Sequence, residues 1–122
     1  MESPYKGKTG LRRLINAFGY SMAGLKAAYT NEDAFRQEVL MTIVLVPLAL
    51  YLGDGGVAKA AMIASVLLVV IVELLNSSIE ATVDRISLEN HMLAKRAKDI
   101  GSAAVLISLI NLAVVWLLIL LG

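Results

Sequence analysis

A chain of 122 residues has the length of one domain, and with 58% hydrophobic residues and a mean hydropathy of +0.75 it is too apolar for an ordinary soluble protein. It has no cysteine, which excludes a disulfide framework, thiolate metal centres and thiol nucleophiles. The net charge of +1 is uninformative as a sum, because in a membrane protein the placement of charge carries the information.

Residues 1–9, with Ser3, Pro4, Gly7 and Lys8, read as a tail. No signal peptide is expected, because Lys6, Lys8, Arg12, Arg13 and Lys26 interrupt the first thirty residues. Leu11, Leu14, Ile15, Phe18, Met22 and Leu25 then recur at helical spacing, opposite Arg12, Arg13, Asn16, Tyr20 and Lys26. This predicts an amphipathic helix over 10–29 lying in the headgroup region; a soluble surface helix is the alternative. Asn31 is the expected N-cap of the next helix, with Asp33 in its first turn.

Three spans follow. Val39 to Leu52 is shorter than the ~20 residues a spanning helix needs, so the first span is placed at 33–52, with Arg36, Gln37 and Glu38 at its polar end and Pro47 as a potential kink. Gly53-Asp54-Gly55-Gly56 is a tight link that lacks the Lys-Ser or Lys-Thr of a phosphate loop. The second span, 57–87, is longer than a bilayer requires, and its last turns should stand in water. After a connector near Leu88 to Ala94 comes the third span, 96–121, uncharged from Ile100 onward, with Trp116 as an expected interfacial anchor. The fold class is an all-α integral membrane protein forming a single membrane domain. Ten of the eleven Lys and Arg residues lie before or at the start of the first span, or around the junction of spans two and three; Lys59, near the Gly53 to Gly56 turn, is the exception. This charge bias places the N-terminus in the cytoplasm and the C-terminus outside.

The second span ends in the run Glu73-Leu74-Leu75-Asn76-Ser77-Ser78-Ile79-Glu80-Ala81-Thr82-Val83-Asp84, whose residues 73, 76, 77, 80 and 84 form one polar stripe. Carboxylates entering hydrocarbon are costly and point to chemistry or transport. Counting from Val57 at ~1.5 Å per residue puts Glu73 about 24 Å across a core of about 30 Å. There, partial desolvation strengthens a carboxylate as a general base. Glu80 and Glu32, both at cytoplasmic membrane depth, could hold a divalent cation; hard oxygen donors favour magnesium over zinc. Alternatively these acids pair with Arg36, Lys98 or Arg13. Asn76 shares the carboxylate face and is assigned a supporting role. Ser77 and Ser78 read as glue between helices, and Gly101 to Ala104 as a close-packing surface. Lys98 could neutralise a phosphate and Asp99 could accept from a sugar or base, although a snorkelling boundary pair reads equally from the sequence. His91 by itself reads as an ordinary exposed histidine.

Three segments, Glu32-Asp33-Ala34-Phe35-Arg36-Gln37-Glu38, Glu73 to Glu80, and Ala97-Lys98-Asp99-Ile100-Gly101-Ser102-Ala103-Ala104-Val105, closely resemble the small integral-membrane diacylglycerol kinases of Gram-negative bacteria. The resemblance covers nearly the whole chain. It implies a homotrimer in the inner membrane that phosphorylates diacylglycerol with ATP and magnesium, with sites shared between subunits and no nucleic-acid partner. By that resemblance Glu73 is the proton acceptor and Glu32 and Glu80 hold the metal. Arg13, Tyr20, Glu32, Glu80, Glu89, Asn90, His91, Lys98 and Asp99 would contact the nucleotide. Ala17, Tyr20, Ser21, Met22, Lys26, Tyr29, Ala34, Phe35, Arg36, Gln37, Glu38, Glu73, Ser102 and Trp116 would line the lipid path. The chain departs from one member of that family at Lys26, Tyr29, Asn90 and Lys95, where that member has Arg, Trp, Tyr and Gly; Asn90 stands in place of an aromatic near the nucleotide. An undecaprenol kinase of the same superfamily and a small proton-coupled transporter are the competing readings, and a structural membrane protein would do neither chemistry.

Overall fold

The computed structural model describes residues 10–86 and 91–122, which form four helices: α1 (Gly10–Asn31), α2 (Asp33–Leu52), α3 (Gly55–Ile86) and α4 (Met92–Leu121). The all-helical expectation is met. α2, α3 and α4 are each long and apolar enough to cross a membrane. The chain divides into two compact units, α1 in one and α2 to α4 in the other, with the boundary between Asn31 and Glu32.

α1 runs two residues past its expected end. Asn31, expected to cap the next helix, instead ends α1 and donates from Nδ2 to the Ala27 carbonyl one turn back at 2.8 Å. Glu32 takes the cap position of α2 with extended backbone, and its side chain makes no capping hydrogen bond. Its carboxylate is therefore not committed to the helix end. α2 continues unbroken through Pro47.

Gly53 closes α2, its N–H donating to the Ala49 carbonyl at 2.9 Å. A Cβ at Gly53 would lie 2.6 Å from the Lys59 side chain and 2.8 Å from that same carbonyl, so only glycine lets α3 double back this tightly. Gly55, at φ +86, opens α3 in the left-handed region that favours glycine. At ~1.5 Å per residue the 32 residues of α3 extend to about 48 Å, well beyond a core of about 30 Å.

α3 is the central element, packing against both α2 and α4. Its inward face buries Met62, Val66 and Val69 completely, followed by the polar residues Glu73, Asn76 and Ser77. The outward faces of the three helices carry exposed Leu, Ile and Val side chains, such as Leu40, Ile43, Leu75, Leu106 and Ile110, as expected of surfaces that meet lipid or another apolar partner.

α4 begins at Met92, ahead of its expected start. His91 supplies the reason: its Nδ1 accepts from the Leu93 N–H at 3.1 Å, an N-cap that the sequence reading of an ordinary exposed histidine did not anticipate. Trp116 also differs from the interfacial anchor expected of it. Its indole N–H is directed to α3, donating to the Met62 carbonyl at 3.2 Å and the Ser65 hydroxyl at 3.1 Å. Ser65 in turn donates to the Met62 carbonyl at 2.7 Å, so the three groups form a closed polar knot between α3 and α4. Replacing Trp116 with Phe removes both indole bonds. It is expected to lower stability by about 0.6 kcal/mol and at most about 1.7, the range for interhelical bonds in membranes, as read from reversible unfolding in mixed micelles.

Candidate active site

The polar stripe on α3 is graded in burial. Glu73, Asn76 and Ser77 are buried, Glu80 is half-buried, and Asp84 is exposed. The gradient follows from the length of α2, whose 20 residues stop short of the last turns of the 32-residue α3, while α4 still reaches them through Lys98. Glu38 of α2 is also buried and interacts electrostatically with Glu73. Glu73 interacts in the same way with Glu80 and Glu32. Glu38, Glu80 and Glu32 thus all lie within electrostatic range of Glu73.

The cations that could have neutralised them are engaged elsewhere as well. Arg36 pairs with Asp33 one turn away, on α2 itself. Lys98 reaches from α4 to Asp84 of α3 at 2.6 Å, and it also lies within electrostatic range of Glu80. Asp84, which the sequence reading placed on the stripe without a role, is therefore what anchors Lys98 beside the acidic cluster. The antiparallel register of α3 and α4 makes this pairing, and register is not readable from either helix alone.

Asn76 connects the stripe. Its Nδ2 donates to Glu80 Oε1 at 3.0 Å, while its Oδ1 is buried without a hydrogen-bond partner, as are Ser77 Oγ and Glu38 Oε2. The two serines, expected to act alike, differ. Ser78 is exposed and returns its hydroxyl to the Leu75 carbonyl at 2.8 Å, whereas Ser77 is buried and makes no such bond.

Lys98 and Asp99 do not share a face. Lys98 points to α3, whereas Asp99 Oδ2 accepts from Lys95 at 2.7 Å on the outer side of α4, in a groove with Met92, Arg96, Ile100 and Ala103. Ser102 is likewise exposed. His91 borders a shallow apolar cavity of about 330 Å³ lined by Val83, Ile86, Leu93 and Ala94. With Nδ1 accepting the cap bond, the neutral ring carries its proton on Nε2, which is then a donor. Glu89 and Asn90 lie outside the described residues. Arg13, Ala17, Tyr20, Ser21, Met22, Lys26 and Tyr29 are all exposed residues of α1. Ala34 and Gln37 are exposed on α2, and Phe35 is buried there.

Among the described residues no three His, Asp or Glu side chains converge tightly enough to cage a cation unaided. Glu32 and Glu80 are nevertheless half-buried hard-oxygen donors within electrostatic range of Glu73. That donor set fits magnesium, which takes one or two carboxylates and completes its shell with water and substrate phosphates.

Residues 19–120 match the family described as prokaryotic diacylglycerol kinase. A diacylglycerol kinase of Pseudomonas aeruginosa is 58% identical over 120 residues, covering 98% of both chains. The diacylglycerol kinase of Escherichia coli K12 is 51% identical over 112 residues, or 92% of both. One from Helicobacter pylori is 46% identical over 115 residues, 94% of this chain and 89% of its own. This chain belongs to the prokaryotic diacylglycerol kinase family. It is accordingly an enzyme, a multi-pass membrane kinase, and the carboxylate cluster on α2 and α3 is the most strongly polar region inside its helical unit. For a kinase of this family the unpartnered, buried Glu38 oxygen is an expense in stability. Replacing Glu38 with Met is expected to stabilise the fold by about 1–3 kcal/mol, the usual penalty of an unsatisfied buried polar group, as measured by denaturant unfolding in micelles.

Proposed function

We propose that the protein transfers the γ-phosphoryl group of ATP to the free hydroxyl of diacylglycerol, giving phosphatidate and ADP. The observation that carries this reading is the buried Glu73 carboxylate flanked by half-buried Glu80 and Glu32, in a chain of the diacylglycerol kinase family. Glu73 accepts the proton of the lipid hydroxyl as its oxygen bonds to the γ-phosphorus, and the bond from that phosphorus to the bridging oxygen breaks to release ADP. Glu32 and Glu80 would hold magnesium, which would supply positive charge to offset that of the phosphates. Lys98, fixed by Asp84, places an ammonium beside the same phosphates.

The nucleotide is bound by Arg13, Tyr20, Glu89, Asn90, His91, Lys98 and Asp99. The lipid path is lined by α1 from Ala17 to Tyr29, by residues 34–38, and by Ser102 and Trp116. The different facing of Lys98 and Asp99 supports sites shared between subunits of a homotrimer. α1 lies at the cytoplasmic surface of the inner membrane; its exposed Leu11, Leu14, Ile15, Phe18 and Met22 support that placement. The N-terminus is cytoplasmic and the C-terminus periplasmic, on the distribution of Lys and Arg.

Purified protein in mixed micelles is expected to convert short-chain diacylglycerol and ATP into phosphatidate, and to prefer diacylglycerol when undecaprenol is supplied beside it. Glu73→Gln should lower turnover by roughly 100-fold or more, the usual worth of a positioned base. A variant that keeps near-normal turnover removes Glu73 from that role. Glu32→Gln and Glu80→Gln should each raise the magnesium concentration for half-maximal rate by roughly tenfold or more.

A further inference from the structure

The α3–α4 seam contains a fit between two residues that neither helix explains alone. We propose that Gly101 is a positioning residue for the Glu80 carboxylate and acts through Asn76. The space left by its missing side chain admits the Asn76 amide and holds it where it donates to Glu80. The inference rests on the reading that Glu80 holds the metal.

Gly101 is buried, whereas Ser102, Ala103 and Ala104 beside it are exposed, so it is not one member of a uniform small-residue surface. A Cβ built at Gly101 would have as its three nearest heavy atoms Oδ1 of Asn76 at 2.1 Å, Cγ at 3.2 Å and Cβ at 4.0 Å. The hollow at Gly101 is thus occupied by one side chain rather than by a helix backbone. Asn76 is 8% exposed and its Oδ1 has no hydrogen-bond partner, so the amide gains nothing on that side except room. On its other side Nδ2 donates to Glu80 Oε1 at 3.0 Å, a charge-assisted bond that restricts the carboxylate to one arrangement. Partners of this kind orient metal-binding carboxylates and tune their affinity.

With alanine at 101 the clashing atom is the tip of a rotatable side chain, so the amide swings away while the helices stay in place. The bond to Glu80 is then lost and the fold is kept. A purely structural glycine would behave in the opposite way, losing helix packing and leaving the metal requirement alone.

Two measurements on Gly101→Ala test this. The first is the magnesium concentration for half-maximal phosphorylation, expected to rise about tenfold while the thermal midpoint in micelles moves by no more than a few degrees. The second needs no activity: the side-chain amide resonance of Asn76, in protein labelled with ¹⁵N-asparagine, should shift in Gly101→Ala and in Glu80→Gln. In an Asn76→Ala background, adding Gly101→Ala should leave the thermal midpoint where Asn76→Ala alone puts it. An unmoved amide resonance, an unchanged magnesium requirement, or a large fall in midpoint without a magnesium effect overturns the proposal. If the wild-type protein shows no magnesium-dependent phosphorylation, the metal reading of Glu80 fails, and the amide resonance still decides whether Gly101 sets the Asn76 to Glu80 bond.

Discussion

A carboxylate at membrane depth must be screened from hydrocarbon, and in this protein the screening comes from the position of α3 between α2 and α4. Glu73 is 4% exposed because both neighbours cover the face that carries it. The same coverage thins toward the end of α3, which leaves Glu80 half-buried and Asp84 in the open. One helix thereby presents acids in three environments, and the proposed division of tasks follows that difference. A group shielded from water suits proton abstraction, whereas one at the rim can meet a hydrated cation and a water-borne phosphate.

That arrangement depends on the two sharp features at the ends of the helical unit. Gly53 lets α3 fold back on α2 with a contact that no other residue would permit, and the His91 cap starts α4 immediately after the connector. Together they fix the registers at which α2 and α4 flank α3. The acids of α2, Glu32 and Glu38, are then brought to the level of Glu73 and Glu80, and Gly101 is brought opposite Asn76.

Much of this was legible in the sequence, and the reason is the bilayer itself. Backbone groups in lipid have to be satisfied within each segment, so long apolar runs become helices with little ambiguity, and α2 to α4 follow. The stripe from Glu73 to Asp84 was legible too, because helical periodicity depends on one segment only. What stayed hidden were relations between segments. The Lys98 bond to Asp84, the separate faces of Lys98 and Asp99, and the inward turn of Trp116 all depend on how α3 and α4 are rotated and offset. Cap chemistry was hidden for a related reason. Asn31 and His91 each have a choice of local partners, and the choice is made by where the helices happen to stop.

The knot formed by Trp116, Met62 and Ser65 has a mechanical consequence. It ties one end of the α3–α4 pair with hydrogen bonds sheltered from water, and such bonds do not weaken with salt. The other end is tied across the helices by Lys98 and Asp84, whose side chains are 42% and 54% exposed and are therefore open to ionic screening. Raising the ionic strength therefore weakens the cross-helix contact near Glu80 and leaves the Trp116 contact unchanged.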